Sequence, residues 1–385
     1  MSTTSEVRNG STSAPARRRD PRLDVLKGVL IGGVVLGHFL ETSGGQAPDG
    51  LYSGWSSEPQ RAVLTALYIV HMPLFVLLAG VTASTRRRAH RIAQMVGLYL
   101  VLQVALLTLR GADVTPETLV HPVYGMWFLL AMAWWLAVLP LVRRLGRAAL
   151  PVATLVSLVA VTAPVADTDV VAWARAACYL PFFVAGHLYG PALLRRTADV
   201  GSALVGPAVL VLGGVTSAVL VWGVDPRWYR GADTAGSMHD SPTVALAVRV
   251  VCFAAAVVCS LALLALVPRR QRVAEVLGRR SLAIYALHVP FVFAAQWWFE
   301  GRGIDAWPAS AIAVLMTVAS LALLAHPAFD TVLRRVGERM ADVIISTVRS
   351  SAGASRTTAL QGPADDADLR HHPHRQPSGP QQLIL

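Results

Sequence analysis

Apolar residues along this chain come in long unbroken runs rather than in alternation. Ten runs of about twenty residues stand out, at 23–42, 61–84, 92–110, 123–142, 148–166, 174–194, 202–223, 243–267, 280–299 and 308–328. A helix of that length, at 1.5 Å per residue, matches the hydrocarbon core of a bilayer. Many of the runs lack the polar face that a soluble helix would show. The pattern predicts an all-α integral membrane protein, a bundle of about ten transmembrane helices. No internal repeat and no separate soluble domain is legible. Residues 1–21, rich in Ser, Thr and Arg, read as a disordered N-terminal segment, and 22–328 as the membrane domain. Residues 329–349 carry helical spacing with basic groups. They read as an amphipathic helix on the inner surface or as an extension of the last run. The polar stretch 350–385, with its run HHPHR, reads as a disordered cytoplasmic tail, solvated rather than metal-binding.

Composition agrees: 54% of residues are hydrophobic and only 15% charged. The net charge of +11 invites a nucleic-acid partner. Its distribution excludes that reading, because the arginines form short clusters in alternate gaps between apolar runs. These include Arg86–Arg88 with Arg91, Arg143–Arg144, Arg195–Arg196, Arg269–Arg270 and Arg279–Arg280. The other gaps hold Asp113, Glu117, Asp167, Asp169, Asp225, Asp233 and Asp305, with few arginines. Positive loops stay in the cytoplasm, so both termini are expected there, in a multi-pass protein of the cell membrane. The first run is longer than a signal-peptide core and is read as a retained span. The three cysteines, Cys178, Cys252 and Cys259, form no CxxC pair, and neither a disulfide framework nor a metal site is expected.

The first run, RLDVLKGVLIGGVVLGHFLE, is costly for a mere anchor. It carries Asp24, Lys27, His38 and Glu41, and ionisable groups at the bilayer centre cost about 2.5–3.5 kcal/mol each on insertion scales. Lys27 and His38 are eleven residues apart, three turns plus about 20°, so they share a face about 16 Å apart along the axis. Asp24 precedes Lys27 by three and Glu41 follows His38 by three, which allows each pair to meet. The stripe therefore has a basic station near one end and a histidine–carboxylate station near the other. The second suits general-base chemistry on a hydroxyl; the first suits a donor with a phosphate at its far end.

These residues resemble the first span of the membrane acyltransferase 3 family, particularly its fucose 4-O-acetylase-like members, marked by a basic residue, ten intervening residues and a histidine. Further blocks follow in order. HMPLFVLLAG (His71–Gly80) resembles the family's HxPLFFxLSG block, with alanine in the serine position. RRAHR supplies an RxxR from Arg88 to Arg91. MWFLLAM, YLPFFVAGHLYG and SLAIYALHVPF resemble the WFL, PFFxxG and SLxIYxLHxPF blocks. The resemblance covers roughly residues 22–328. It implies transfer of an acyl group, usually acetyl from acetyl-CoA, to a hydroxyl of a sugar, a glycan or a related acceptor. It also implies that Lys27, Arg88 and Arg91 engage the CoA. His38 is expected either to act as general base or to carry the acyl group transiently.

Together these readings give His38, Glu41 and His71 as catalytic candidates. His71, followed by Pro73, is expected to line a cavity. Arg249, six residues into the eighth run, should face a cavity or a carboxylate, and it is a candidate for substrate binding together with His288, mid-run before Pro290. His187 reads as structural; Trp127, Trp134, Trp135, Trp297 and Trp298 read as packing or interface belt. The loop Val224–Ser241 is the longest candidate for acceptor recognition. A transporter or flippase of a lipid-linked sugar is the rival reading, since ten spans with internal charges fit that class too. The acceptor, the acyl length and the oligomeric state are not legible.

Overall fold

The computed structural model of the chain describes residues 20–45, 53–199 and 204–360. The expectations for residues 1–19 and for the HHPHR run fall outside them. Among the described residues there is no strand. All ten apolar runs are helical. The helices of seven residues or more are α1 (Pro21–Thr42), α2 (Glu58–Thr82), α3 (Arg88–Leu109), α4 (Trp127–Leu145), α5 (Ala149–Val161), α6 (Trp173–Asp199) and α7 (Val205–Val221). They continue with α8 (Pro242–Leu266), α9 (Arg272–Arg279), α10 (Ser281–Leu287), α11 (Val289–Phe299), α12 (Ala306–Leu324) and α13 (Pro327–Leu360). Among the described residues, eight helical stretches are long and apolar enough to cross a membrane, counting Tyr124–Val161 as one and Ser281–Phe299 as one; α7 is shorter, at 17 residues.

Local chemistry sets the boundaries. Asp20 caps α1, accepting a hydrogen bond from the Arg22 main-chain N–H at 3.0 Å, and Pro21 occupies the first turn where its missing donor costs nothing. α5 ends at Val161, short of the expected 166, because Pro164 disfavours helix in the residue before it. The run 280–299 is interrupted at His288, since Pro290 lacks the N–H that would close the ladder. Pro327 separates α12 from α13, which then continues unbroken to Leu360, into the stretch expected to be a disordered tail.

Two helix crossings are set by glycine. A Cβ on Gly80 of α2 would stand 2.1 Å from the Phe183 carbonyl of α6. One on Gly186 of α6 would stand 1.9 Å from the Leu77 carbonyl of α2. The same reciprocity holds between α1 and α9, where Gly28 faces the Ala274 carbonyl and Gly278 faces that of Asp24, at 1.9 and 1.8 Å. In a bilayer the hydrophobic effect does not drive helices together, so such close backbone approach supplies the packing.

Helix ends meet in two groups, as an up-and-down bundle requires. The buried Arg22 guanidinium donates to the Leu194 and Leu264 carbonyls, joining α1 to the C-terminal parts of α6 and α8. At the opposite end Gln60 Nε2 donates to Ser43 Oγ at 2.9 Å and Ser310 Oγ at 3.0 Å, joining the end of α1 to the starts of α2 and α12. The first group is the arginine-rich end; the second carries the acidic loops.

Candidate active site

Toward the acidic end, α1, α2, the turn before α4, α6 and α10 enclose a cavity of about 200 Å³. His38, Glu41, His71, Tyr124, Trp127, Tyr179 and Tyr285 contribute to its wall, as do Asp169, Arg175 and Arg230 from the loops and helix ends. Most of the matching sequence blocks thus send a residue to one place, although they lie up to 250 residues apart.

His38 is held by His288. His288 Nδ1 lies 2.7 Å from the Tyr285 main-chain oxygen, and its Nε2 lies 2.7 Å from His38 Nδ1. A carbonyl oxygen only accepts, so His288 Nδ1 carries its proton and donates. In a neutral ring Nε2 is then an acceptor, and His38 Nδ1 must donate to it. His38 is left with its lone pair on Nε2. Tyr124 packs edge-on against the His38 ring, with centroids 4.7 Å apart. Its own backbone is in the left-handed region at φ 49°, which is unusual for a residue with a side chain. Tyr285 fixes the floor by donating its hydroxyl to the Gly125 carbonyl.

The carboxylate expected beside His38 has other partners. Glu41 Oε1 accepts from Trp55 Nε1 at 3.0 Å, Oε2 accepts from Tyr68 OH at 2.7 Å, and Arg230 Nη2 lies 3.3 Å from Oε1. The i,i+3 pairing is therefore replaced by a histidine–histidine pair formed across 250 positions, and Glu41 anchors the cavity's outer wall. Burial opposes the charge of Arg230, but Glu41, Tyr68 and Asp233 outweigh it and hold the guanidinium's pKa above its usual value.

His71 lines the same cavity and is buried. Its Nδ1 donates to the Leu67 carbonyl at 2.6 Å, which again leaves the lone pair on Nε2. Arg249 does not reach this cavity. Its Nη1 donates to Cys178 Sγ at 2.6 Å and its Nη2 to the Asp233 carbonyl at 3.0 Å, beside a smaller void that shares Tyr68 and Tyr179. Lys27, Arg88 and Arg91 are also absent from the cavity wall. Lys27 sits three turns from His38 on α1, where α9 crosses, and Arg88 and Arg91 begin α3 at the arginine-rich end.

Sequence reasoning missed Arg175, Asp169, Tyr124 and Arg230 as wall residues. Arg175 Nη1 pairs with Asp169 Oδ1 at 2.8 Å, and its guanidinium lies 5.4 Å from the Trp127 ring centroid. Arg230 stands in the loop singled out for acceptor recognition, whose Trp228 and Tyr229 are buried in the bundle rather than displayed.

Comparison with known proteins bears directly on this arrangement. A family model described as an acyltransferase domain, of the acyltransferase 3 family, matches residues 20–326. The chain belongs to the acyltransferase 3 family. Every residue of the histidine cluster lies within the matched span. The chain is also similar to nodulation protein NolL of Sinorhizobium fredii (strain NBRC 101917 / NGR234), 41% identical over 78 residues. That match covers 20% of this chain and 19% of NolL, so the chain spans about a fifth of the relative's length. No solved structure matches it. For an acyltransferase 3 member, a neutral imidazole with a fixed tautomer and its lone pair on Nε2, in the wall of a cavity that also carries charged and hydroxyl groups, is suited to taking a proton from a hydroxyl.

Proposed function

We propose that this protein is a membrane O-acyltransferase. It moves an acyl group, acetyl by default, from acyl-CoA to a hydroxyl of a sugar, a glycan or a glycosylated small molecule. The observation that carries the reading is His38 in the wall of the cavity, ordered from behind by the buried His288, inside a chain of this family.

The chemistry follows from the tautomers. His38 Nε2 takes the proton of the acceptor hydroxyl as its oxygen attacks the thioester carbonyl. The imidazolium that forms is stabilised through Nδ1–H by His288, which plays the orienting part that a carboxylate plays in a hydrolase triad. Collapse of the tetrahedral intermediate breaks the C–S bond. The departing thiolate recovers the proton from His38, and the ester leaves with the acceptor. His71 Nε2, in the same wall, is available to hydrogen-bond the acceptor or the acyl carbonyl in its protonated form. Lys27, Arg88 and Arg91 bind the phosphates of CoA at the arginine-rich end, which faces the cytoplasm by the positive-inside rule. The separation of Lys27 from His38, about 16 Å along α1, is one to be bridged by the slender pantetheine arm. The remote, phosphate-bearing part of the donor then positions the thioester.

The test uses full-length protein in proteoliposomes with radiolabelled acetyl-CoA and a pool of sugars and glycolipids. The reading expects label in the acceptor fraction with wild type and none with His38→Ala. Label transferred equally well by His38→Ala would sink it.

A further inference from the structure

The wall of the cavity contains two kinds of residue. His38, His71, Trp127, Tyr179 and Tyr285 come from the sequence blocks that mark the family. Arg230 comes from outside them, in the segment Pro226–Arg230 that folds into the bundle between α7 and α8. A chemistry shared by a family belongs to the first kind; a choice of acceptor belongs to the second.

The charges in the wall balance. Its carboxylates are Glu41 and Asp169, and its guanidiniums are Arg175 and Arg230. Each guanidinium lies against one carboxylate, Arg175 on Asp169 at 2.8 Å and Arg230 on Glu41 at 3.3 Å. With His38 and His71 neutral, no net positive charge remains to repay the desolvation of an anion. Yet the polar capacity is not used up. The Arg230 side chain is 30% exposed at the wall and holds Glu41 through Nη2 alone of its nitrogens. A guanidinium with further N–H groups beside a carboxylate suits a group that accepts and donates at once, which is what a hydroxyl does. The aromatic side offers no free platform, since Trp127 is already engaged by Tyr179, stacked at 5.7 Å, and by Arg175.

We infer that the acceptor presents an uncharged sugar to this cavity, and that Arg230 is the residue that reads its hydroxyls. The inference rests on the acyl-transfer reading for the word acceptor, but its test needs no turnover. Full-length protein in detergent is titrated with neutral methyl glycosides, with the matching methyl uronides and with sugar phosphates. Binding is followed calorimetrically in the absence of any acyl-CoA. Wild type should bind one or more neutral glycosides and bind the anionic probes at least tenfold more weakly. Arg230→Gln should weaken neutral-glycoside binding about tenfold or more. Arg230→Lys keeps the pairing with Glu41 but not the fork of donors, and should lose most of that affinity too. Glu41→Gln removes the compensating charge and should shift preference toward the uronides. The inference is overturned if anionic sugars bind best to wild type, if no methyl glycoside binds at millimolar concentration, or if both Arg230 variants, shown monodisperse, bind as wild type does. Sugar binding that persists in a protein unable to transfer acetyl would instead remove the acyl-transfer reading and leave the sugar site standing.

Discussion

His38 Nδ1 lies 2.7 Å from His288 Nε2, although the two residues are 250 positions apart. The contact has a direction, because His288 Nδ1 is committed to the Tyr285 carbonyl at 2.7 Å. It fixes both tautomers without a carboxylate. The arrangement suits a site deep in a bundle, where a buried, unpaired carboxylate would itself demand compensation.

Orientation by His288 makes a graded prediction. His288→Ala leaves His38 free to rotate and to place its proton on either nitrogen. Loss of a general base's proper alignment costs roughly 10²–10⁴ in rate. His288→Gln keeps an acceptor oxygen for His38 Nδ1 and should recover part of that loss. Single-turnover rates of the three proteins should fall in the order wild type, Gln, Ala, with acyl-CoA affinity changed little. Equal rates for Gln and Ala would mean that His288 only fills space.

Glu41 is predicted to matter more for stability than for proton transfer. Its two oxygens serve Trp55, Tyr68 and Arg230, and the Glu41 side chain is only 6% exposed. Removing it strands three donors, which costs about 2–4 kcal/mol. Glu41→Ala should lower the apparent Tm in detergent clearly, while Glu41→Gln lowers it less. An unchanged Tm for the alanine variant, measured by tryptophan fluorescence, would contradict the anchoring role.

The α2–α6 crossing depends on two glycines. A side chain at Gly186 meets the Leu77 carbonyl at 1.9 Å, and backbone there has no room to retreat. Gly186→Val should separate the helices that carry His71 and Tyr179 and give aggregated or destabilised protein in size-exclusion chromatography. Gly213→Val on α7, where an added Cβ meets nothing within 4 Å, should behave as wild type.

One pH effect is expected outside the bundle. His121 Nε2 lies 2.6 Å from Asp167 Oδ2, tying together the loops after α3 and α5. The hydrogen bond to Asp167 raises the histidine's pKa above 6.5, and the same bond lowers that of Asp167 below 3.8. A raised histidine contributes fully below its unfolded value and loses that contribution as pH rises through the folded one. A lowered aspartate contributes above its unfolded value and loses that as pH falls through the folded one. The pair is therefore strongest from about pH 4 to 6.5. Both side chains are well exposed, so the effect is small, under about 1 kcal/mol. Asp167→Asn should flatten the fall in Tm between pH 6 and 8; an identical pH profile would remove the pair from the account.

Much of the fold was legible because membrane helices announce themselves by length and hydropathy. What the runs did not reveal was where each helix stops. Pro164 and Pro290 are local signals that shortened one run and broke another, and a run-length reading passes over both. The site was legible in part. Lys27 and His38 stand on one helix, so their spacing could be computed from helical geometry alone. The true partner of His38 lies 250 residues later, at the break between α10 and α11, and no periodicity in α1 points to it. The i,i+3 rule offered Glu41 instead, because spacing along a helix permits a contact without saying whether a neighbouring helix offers a better one. Trp55 and Tyr68 did, and they drew the carboxylate away. Arg230 was legible only as part of a long loop, since nothing in its local sequence says that the loop folds inward.

The most direct measurement is thiol release from acetyl-CoA by purified protein, with and without a membrane-lipid extract as acceptor source, for wild type and His38→Ala. If His38 is the base that His288 holds in place, wild type releases thiol in the presence of acceptor. His38→Ala, shown folded by an unchanged elution profile, should be slower by roughly 10²-fold or more. Thiol release by folded His38→Ala at the wild-type rate would contradict the account at its centre.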